Sequence, residues 1–239
     1  MENWIVQSKC VCGSRNAVRG LECQDRAAVF QKNGCVAAAL ADGSGNTRFA
    51  AYGAQITARV LAQMLCEQFD NLYAAAKWDP LFLKHNVISN ILRNQRENQP
   101  EVPLRQMQST ALAVAVDTNQ NRYLYVHLGD GRIYCQKSGV THCISEAENG
   151  FGANETYLTA CKSAVDHLRY GVGGTRGMDA FLLASDGGQA HLEAALKIDD
   201  FFQKKQRTDY TDDIGICQII RCNPNLCNIF NESGETYEQ

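Results

Sequence analysis

Three apolar runs of strand character end on the same dipeptide: CVAAALADG at 35–43, YLYVHLGDG at 123–131 and DAFLLASDG at 179–187. A run of this kind makes a buried strand, and an aspartate that terminates it stands where the sheet ends. Asp-Gly is also a favoured two-residue hairpin turn. At Asp130 the chain resumes at once as RIYCQKSG, so the turn and rim readings are evenly balanced there. Beyond Asp42 and Asp186 the chain reads as helix or loop, which favours the rim. On that reading strand ends deliver three carboxylates to one edge of a sheet, with glycines permitting close backbone approach to an ion.

A chain of 239 residues with 45% hydrophobic content can bury one sizeable core, so a single domain over 1–222 followed by a polar tail at 223–239 is expected. The net charge of −3 and a pI near 6.0 lack the basic excess that nucleic-acid binding needs. The start MENWIVQSKC does not resemble a signal peptide and no apolar run is long enough to span a bilayer, so a cytoplasmic protein without membrane partners is expected. The 11 cysteines include no C-x-x-C pair, and Cys35, Cys66, Cys135 and Cys217 sit inside apolar patterns where a reduced thiol behaves as a small hydrophobe.

Residues 4–11, 26–31 and 34–41 read as strands, the last two joined through the turn signal KNG. From Thr47 to Phe69 the period changes: Ile56, Val60, Leu61, Met64, Leu65 and Phe69 share one helical face. Asp79 and Pro80 mark the start of a second helix running to about Glu97. TALAVAVD, RYLYVHLG, RIYCQKS and VTHCIS come next as an antiparallel meander, and ETYLT as a further short strand. Gly171, Gly173, Gly174 and Gly177 read as a flexible loop, residues 188–207 as a helix, and IGICQIIRC as a closing strand. This order suits antiparallel sheets covered by helices.

One more acidic pair stands at a strand start, Asp212 and Asp213 in TDDIGICQII, and ECQDRAAVF opens an early strand with Gln24 and Asp25. Asp, Gln and backbone carbonyl are hard oxygen donors, the set that suits magnesium or manganese rather than zinc or copper. If these ends converge they form a binuclear site, which can activate water and stabilise in-line displacement at phosphorus with no side-chain nucleophile. The absence of a G-x-S-x-G elbow and of paired histidine spacing agrees with that.

In order, GLECQDR, ALADGSG, STALAV, VHLGDGRIYCQKSGVTHCIS, FLLASDGG and TDDIGICQI resemble the serial motifs of the metal-dependent type 2C (PPM) serine/threonine protein phosphatases, over about residues 13–221. The resemblance is to the bacterial branch with a G-x-x-C-Q-D motif and an NETYLT segment. It implies an α+β fold, a four-layer α-β-β-α sandwich of two antiparallel sheets flanked by helices. It also implies a signalling hydrolase that removes phosphate from phosphoserine or phosphothreonine by a metal-activated water, using two Mn2+ or Mg2+ ions and a third, weaker one.

By the same resemblance Asp42, Asp186 and Asp212 are the catalytic carboxylates. Asp42 looks like the bridge between both ions, Gly43 like a carbonyl ligand of the second, and Asp186 and Asp212 like the remaining ligands of the first. Asp130 matches the third site, shared with Asp186. Gln24 stands where a glutamate is usual. Asp25, Arg19 and Asp213 fall at positions that orient ligands or bind phosphate, with Arg15 as an alternative arginine. Ser44 replaces the histidine that eukaryotic members carry after Asp-Gly, and Gly215 replaces a Ser or Thr. Only residues 145–178 are available for the family's flap subdomain. The implied partners are a phosphoprotein substrate and a cognate Ser/Thr kinase. Gln24 and Ser44 keep a competing reading open, a weak or inactive pseudophosphatase that binds a phosphoprotein or kinase. An N-terminal-nucleophile amidohydrolase is disfavoured by Met1-Glu2, which offers no Ser, Thr or Cys.

Overall fold

The segments β3 (Cys35–Asp42) and β4 (Ala111–Asp117) are buried along nearly their whole length, so each needs cover on both faces. The structure, a computed structural model, describes residues 4–44, 49–150, 156–195 and 210–222, and it shows how that cover is divided. Side chains alternate across a strand. Ala37, Ala39, Ala41, Ala111, Ala113 and Ala115 face the cluster built with helices. Val36, Leu40, Leu112, Val114 and Val116 face the core between two sheets. The small residues let a helix lie close, and the larger ones fill the gap of about 10 Å that separates packed sheets.

One sheet has the order β2 (Asp25–Lys32), β3, β4, β5 (Arg122–Leu128), β8 (Arg169–Gly174). The other has the order β1 (Trp4–Val11), β10 (Ile214–Arg221), β9 (Met178–Ala184), β6 (Arg132–Lys137), β7 (Val140–Ser145). Neighbours are antiparallel throughout. Outside the first sheet pack α2 (Ala50–Glu67), α3 (Phe69–Trp78) and α4 (Pro80–Asn98), the last capped by Asp79 on Phe82 N as expected. Outside the second packs α6 (Asp186–Ala195). The short helices are α1 (Ser14–Val18) and α5 (Ala164–His167). This is the expected α-β-β-α sandwich. No described helix is long and apolar enough to cross a membrane. Residues 196–207 of the expected long helix, and the tail from 223, lie outside the described residues.

Four local expectations are corrected. The meander is interrupted: β5 and β6 lie in different sheets, and the chain crosses between them at 129–131. The glycine-rich stretch is the strand β8, because Tyr125 and Tyr123 lay their rings over Gly171 and Gly173 where a side chain would otherwise stand. The described residues 156–159 of the ETYLT segment form no strand: Thr156 makes a single bridge to Asn149 before the chain turns into α5. A further helix, α3, comes directly after α2; it buries only Phe69, Leu72, Ala75 and Ala76, too short a stripe to stand out in the sequence.

Helices α4 and α2 are both held against the approach to β4 by polar contacts in a buried setting, α4 through Gln95 and α2 through Thr57. Gln95 Nε2 donates to Met107 O at 2.9 Å, and Ser109 Oγ donates to Thr57 Oγ1 at 2.9 Å. A β-carbon on Gly53 would stand 2.0 Å from the Met107 carbonyl oxygen. Gly53→Ala therefore loses about 1–3 kcal/mol of stability in urea denaturation by overpacking, although the same change at an open helix position gains up to about 1 kcal/mol.

Candidate active site

The antiparallel register of β2 and β3 sets Asp25 opposite Asp42 at one end of the first sheet. The second sheet contributes Asp186, one residue beyond the Ser185 that succeeds β9, and Asp212 and Asp213 just before β10. Asp130 comes from the crossing between the sheets. All of these meet at one cavity of about 450 Å³, which Gln24 and Gly43 also line and which Arg15, Asn16 and Arg19 of the α1 region close on one side. Every site residue expected from the sequence is thus brought to a single place. The Asp-Gly pairs are not hairpin turns: Gly43, Gly131 and Gly187 all lack positive φ. Their β-carbons would instead stand 2.4 Å from Ala50 O, 2.7 Å from Ala184 O and 2.1 Å from Asp213 O. Glycine is required because another backbone passes there.

Six carboxylates and two arginines share this cavity, and the excess negative charge shows in their acidities. Burial, then the charges of Asp25, Asp186 and Asp130, raises Asp42 well above the usual carboxylate range. Asp25 is pushed up to about 7, mainly by burial, against the opposing effect of the Ser185 hydroxyl. The two carboxyls hydrogen-bond each other, and both are held above the ordinary carboxylate range. Asp186, at the open side, is raised by partial desolvation of its carboxyl and by Asp130 and Asp212. Like charges this close cannot all ionise without a counter-charge. Arg15 supplies a little of one, 3.5 Å from Asp212 across a half-exposed contact.

Several residues that the sequence does not flag hold this arrangement. Buried Ser185 donates from Oγ to Asp25 Oδ2 at 2.6 Å and accepts from Gly215 N at 3.0 Å and Gly188 N at 3.2 Å. It ties β9, α6 and β10 to Asp25. Thr110 Oγ1 accepts from Asp42 N at 2.8 Å. Asp213 accepts from Gly13 N at 2.7 Å, Asn16 Nδ2 at 2.8 Å and Gln24 N at 2.5 Å, fixing the loop that carries both arginines. Ser185 and Thr110 fall within the FLLASDGG and STALAV motifs, although neither residue is singled out there; Asn16 carries no signal. The thiols of Cys12 and Cys23 flank the same loop, and both are raised above the ordinary thiol range, first by burial and then by Asp213. All ten cysteines among the described residues are free.

A family model for protein phosphatase 2C matches residues 12–214. The chain belongs to the protein phosphatase 2C family. A search of curated protein sequences returns no match. Among solved structures, the Mycobacterium tuberculosis serine/threonine phosphatase PstP/Ppp is 18% identical, with a TM-score of 0.61 over 91% of this chain and 98% of that one. A bacterial serine phosphatase is 14% identical, TM-score 0.60, over 92% and 98%. RsbX in complex with magnesium is 15% identical, TM-score 0.52, over 93% and 98%. These likenesses concern the fold.

The protein phosphatase 2C family is metal-dependent, and the residues present fit a divalent cation by donor type and charge: oxygen donors only, with an uncompensated negative excess. In the present rotamers no three Asp, Glu, His or Cys side chains among the described residues close on one point. The six carboxylates instead line the cavity wall, as Arg15 and Arg19 do.

The hydrogen bonds and acidities of the site also bear on stability. Ser185→Ala strands two buried N–H groups and removes a donor from Asp25, and costs about 1–3 kcal/mol by chemical denaturation. In chelator, Asp25 with its raised folded pKa holds a proton that the unfolded chain releases, so its contribution declines as pH rises from about 4 to about 7. Wild type therefore loses stability relative to Asp25→Asn across that window; the variant cancels His127, whose pKa, lowered to about 3 chiefly by burial, acts in the opposite sense.

Proposed function

We propose that this chain is a phosphoprotein phosphatase that hydrolyses phosphoserine or phosphothreonine at a binuclear Mn2+ or Mg2+ site. The observation that carries the reading is the gathering of six carboxylates, with excess negative charge, on one cavity at the strand ends of a protein phosphatase 2C chain. Asp42 would hold both ions, the Gly43 carbonyl and Gln24 the second, and Asp186 and Asp212 the first; Asp130 with Asp186 would hold a third. When bound, such ions lower the pKa of a water and neutralise charge on the phosphoryl oxygens.

The remaining work falls to the chain itself. Arg15 and Arg19 stand where a guanidinium fork can grip phosphate oxygens in two places and orient the ester. Asp213 holds that arm in place, and Asp25 and Ser185 hold Asp42 and Asp186. We take 1–222 as the catalytic domain and 223–239 as a tail, and assign the protein to the bacterial cytoplasm, opposite a Ser/Thr kinase. The neutral amide of Gln24 favours a second reading, a weak or silent module that binds phosphoproteins or a kinase.

Hydrolysis of p-nitrophenyl phosphate and of a phosphothreonine peptide, with and without manganese, tests this. Wild type turns over only with the ion, and Asp42→Asn and Asp186→Asn each lose more than about 100-fold, beyond the usual cost of losing an outer partner. Manganese binding by calorimetry without turnover in wild type selects the binding module instead.

A further inference from the structure

Asp130, like Asp212 and Asp213, lies outside the regular elements. It sits in the crossing between sheets, after Gly129 at φ +112. Its position is instead supported by a separate part of the chain, Thr156–Arg169. Thr156 lines the cavity, and its hydroxyl donates to Asp130 Oδ2 at 2.5 Å. The residues beside Thr156 are fixed from both sides. Tyr157 stacks on His167, with ring centroids 3.4 Å apart and planes within 10°. Thr159 N donates to Ser109 O at 2.9 Å, while Ser109 N donates to Thr159 Oγ1 at 3.2 Å.

The same segment is tied to the residue before Asp130. The Gly129 carbonyl accepts from Glu148 N at 2.9 Å and from the Arg169 guanidinium at 3.2 Å. Glu148 joins these supports: its carboxylate lies 3.3 Å from Arg169 Nε and 2.8 Å from His167 Nδ1. Arg169 also reaches His127 Nε2 at 3.2 Å, beneath the crossing. Gly129 is thus held through its carbonyl and Asp130 through its carboxylate, both from outside their own loop.

We propose that Thr156 is a positioning residue that orients the Asp130 carboxylate, so that the Thr156–Arg169 segment sets how tightly this end of the cavity binds a divalent cation. The proposal rests on the metal-dependent reading above. One oxygen of Asp130 is engaged by the hydroxyl, and both residues line the cavity. Removing such an outer partner typically weakens metal binding about 10–100-fold.

The test is calorimetric titration of Mn2+ into the full chain, for wild type, Thr156→Val and Thr156→Ser, with melting in chelator as a control for folding. Valine keeps the shape and loses the donor; serine keeps the donor and loses the methyl. The expected result is a weakest binding phase about 10–100-fold weaker in Thr156→Val and close to wild type in Thr156→Ser, with melting in chelator little changed for either. Wild-type binding in Thr156→Val overturns the proposal and leaves the phosphatase reading intact. Equal weakening in both variants overturns it as well, by assigning the effect to packing of the methyl group. Absence of Mn2+ binding in wild type removes the proposal together with the reading it rests on.

Discussion

Burial of β3 and β4 on both faces is the constraint on which the rest of the molecule depends. Two strands with alanine on one side and valine or leucine on the other must be covered by a helix and by a second sheet at once. That requirement produces four layers, and four layers leave the strand ends as the place where polar groups from both sheets can meet. The carboxylates are therefore held by the strongest part of the fold, with loops completing the arrangement. Removing a buried methylene from this layer would disturb the site through the backbone that carries Asp42.

Electrostatics acts in the opposite direction to packing. Six aspartates on one cavity repel one another, and the protein moderates the repulsion by sharing a proton between Asp42 and Asp25 and by aiming neutral donors at the rest. Thr156 and the N–H groups on Asp213 are those donors, and Ser185 donates to Asp25 itself. Each fixes a backbone or a carboxylate without adding positive charge, so the negative potential survives for a cationic partner.

Much of this is legible in the sequence, because it is written in local periodicity and in abrupt chemical changes. The strands β1 to β3 and β10, the helices α2 and α4, and the site aspartates all announce themselves by an apolar run that ends on a charge or a cap. The features that are not legible depend on neighbours distant in the chain. The strand β8 looks like a glycine loop until Tyr123 and Tyr125 are placed across it. The apparent meander at Asp130 is a change of sheet, since adjacency in sequence cannot tell a hairpin from a crossing. Ser185 and Thr156 act on aspartates 160 and 26 positions away, where no spacing rule reaches.

The division of the carboxylates between the sheets has a mechanical consequence. Asp25 and Asp42 belong to one sheet, while Asp186, Asp212 and Asp213 are carried by the ends of strands in the other. A ligand that engages Asp42 and Asp186 together spans the seam along which the two halves of the sandwich would part. It works there as a staple as well as a reagent, and its occupancy contributes to holding the two sheets closed by simple mass action. The cavity is in this sense a joint, and a ligand bound across it would add to the packing that already closes that end of the sandwich.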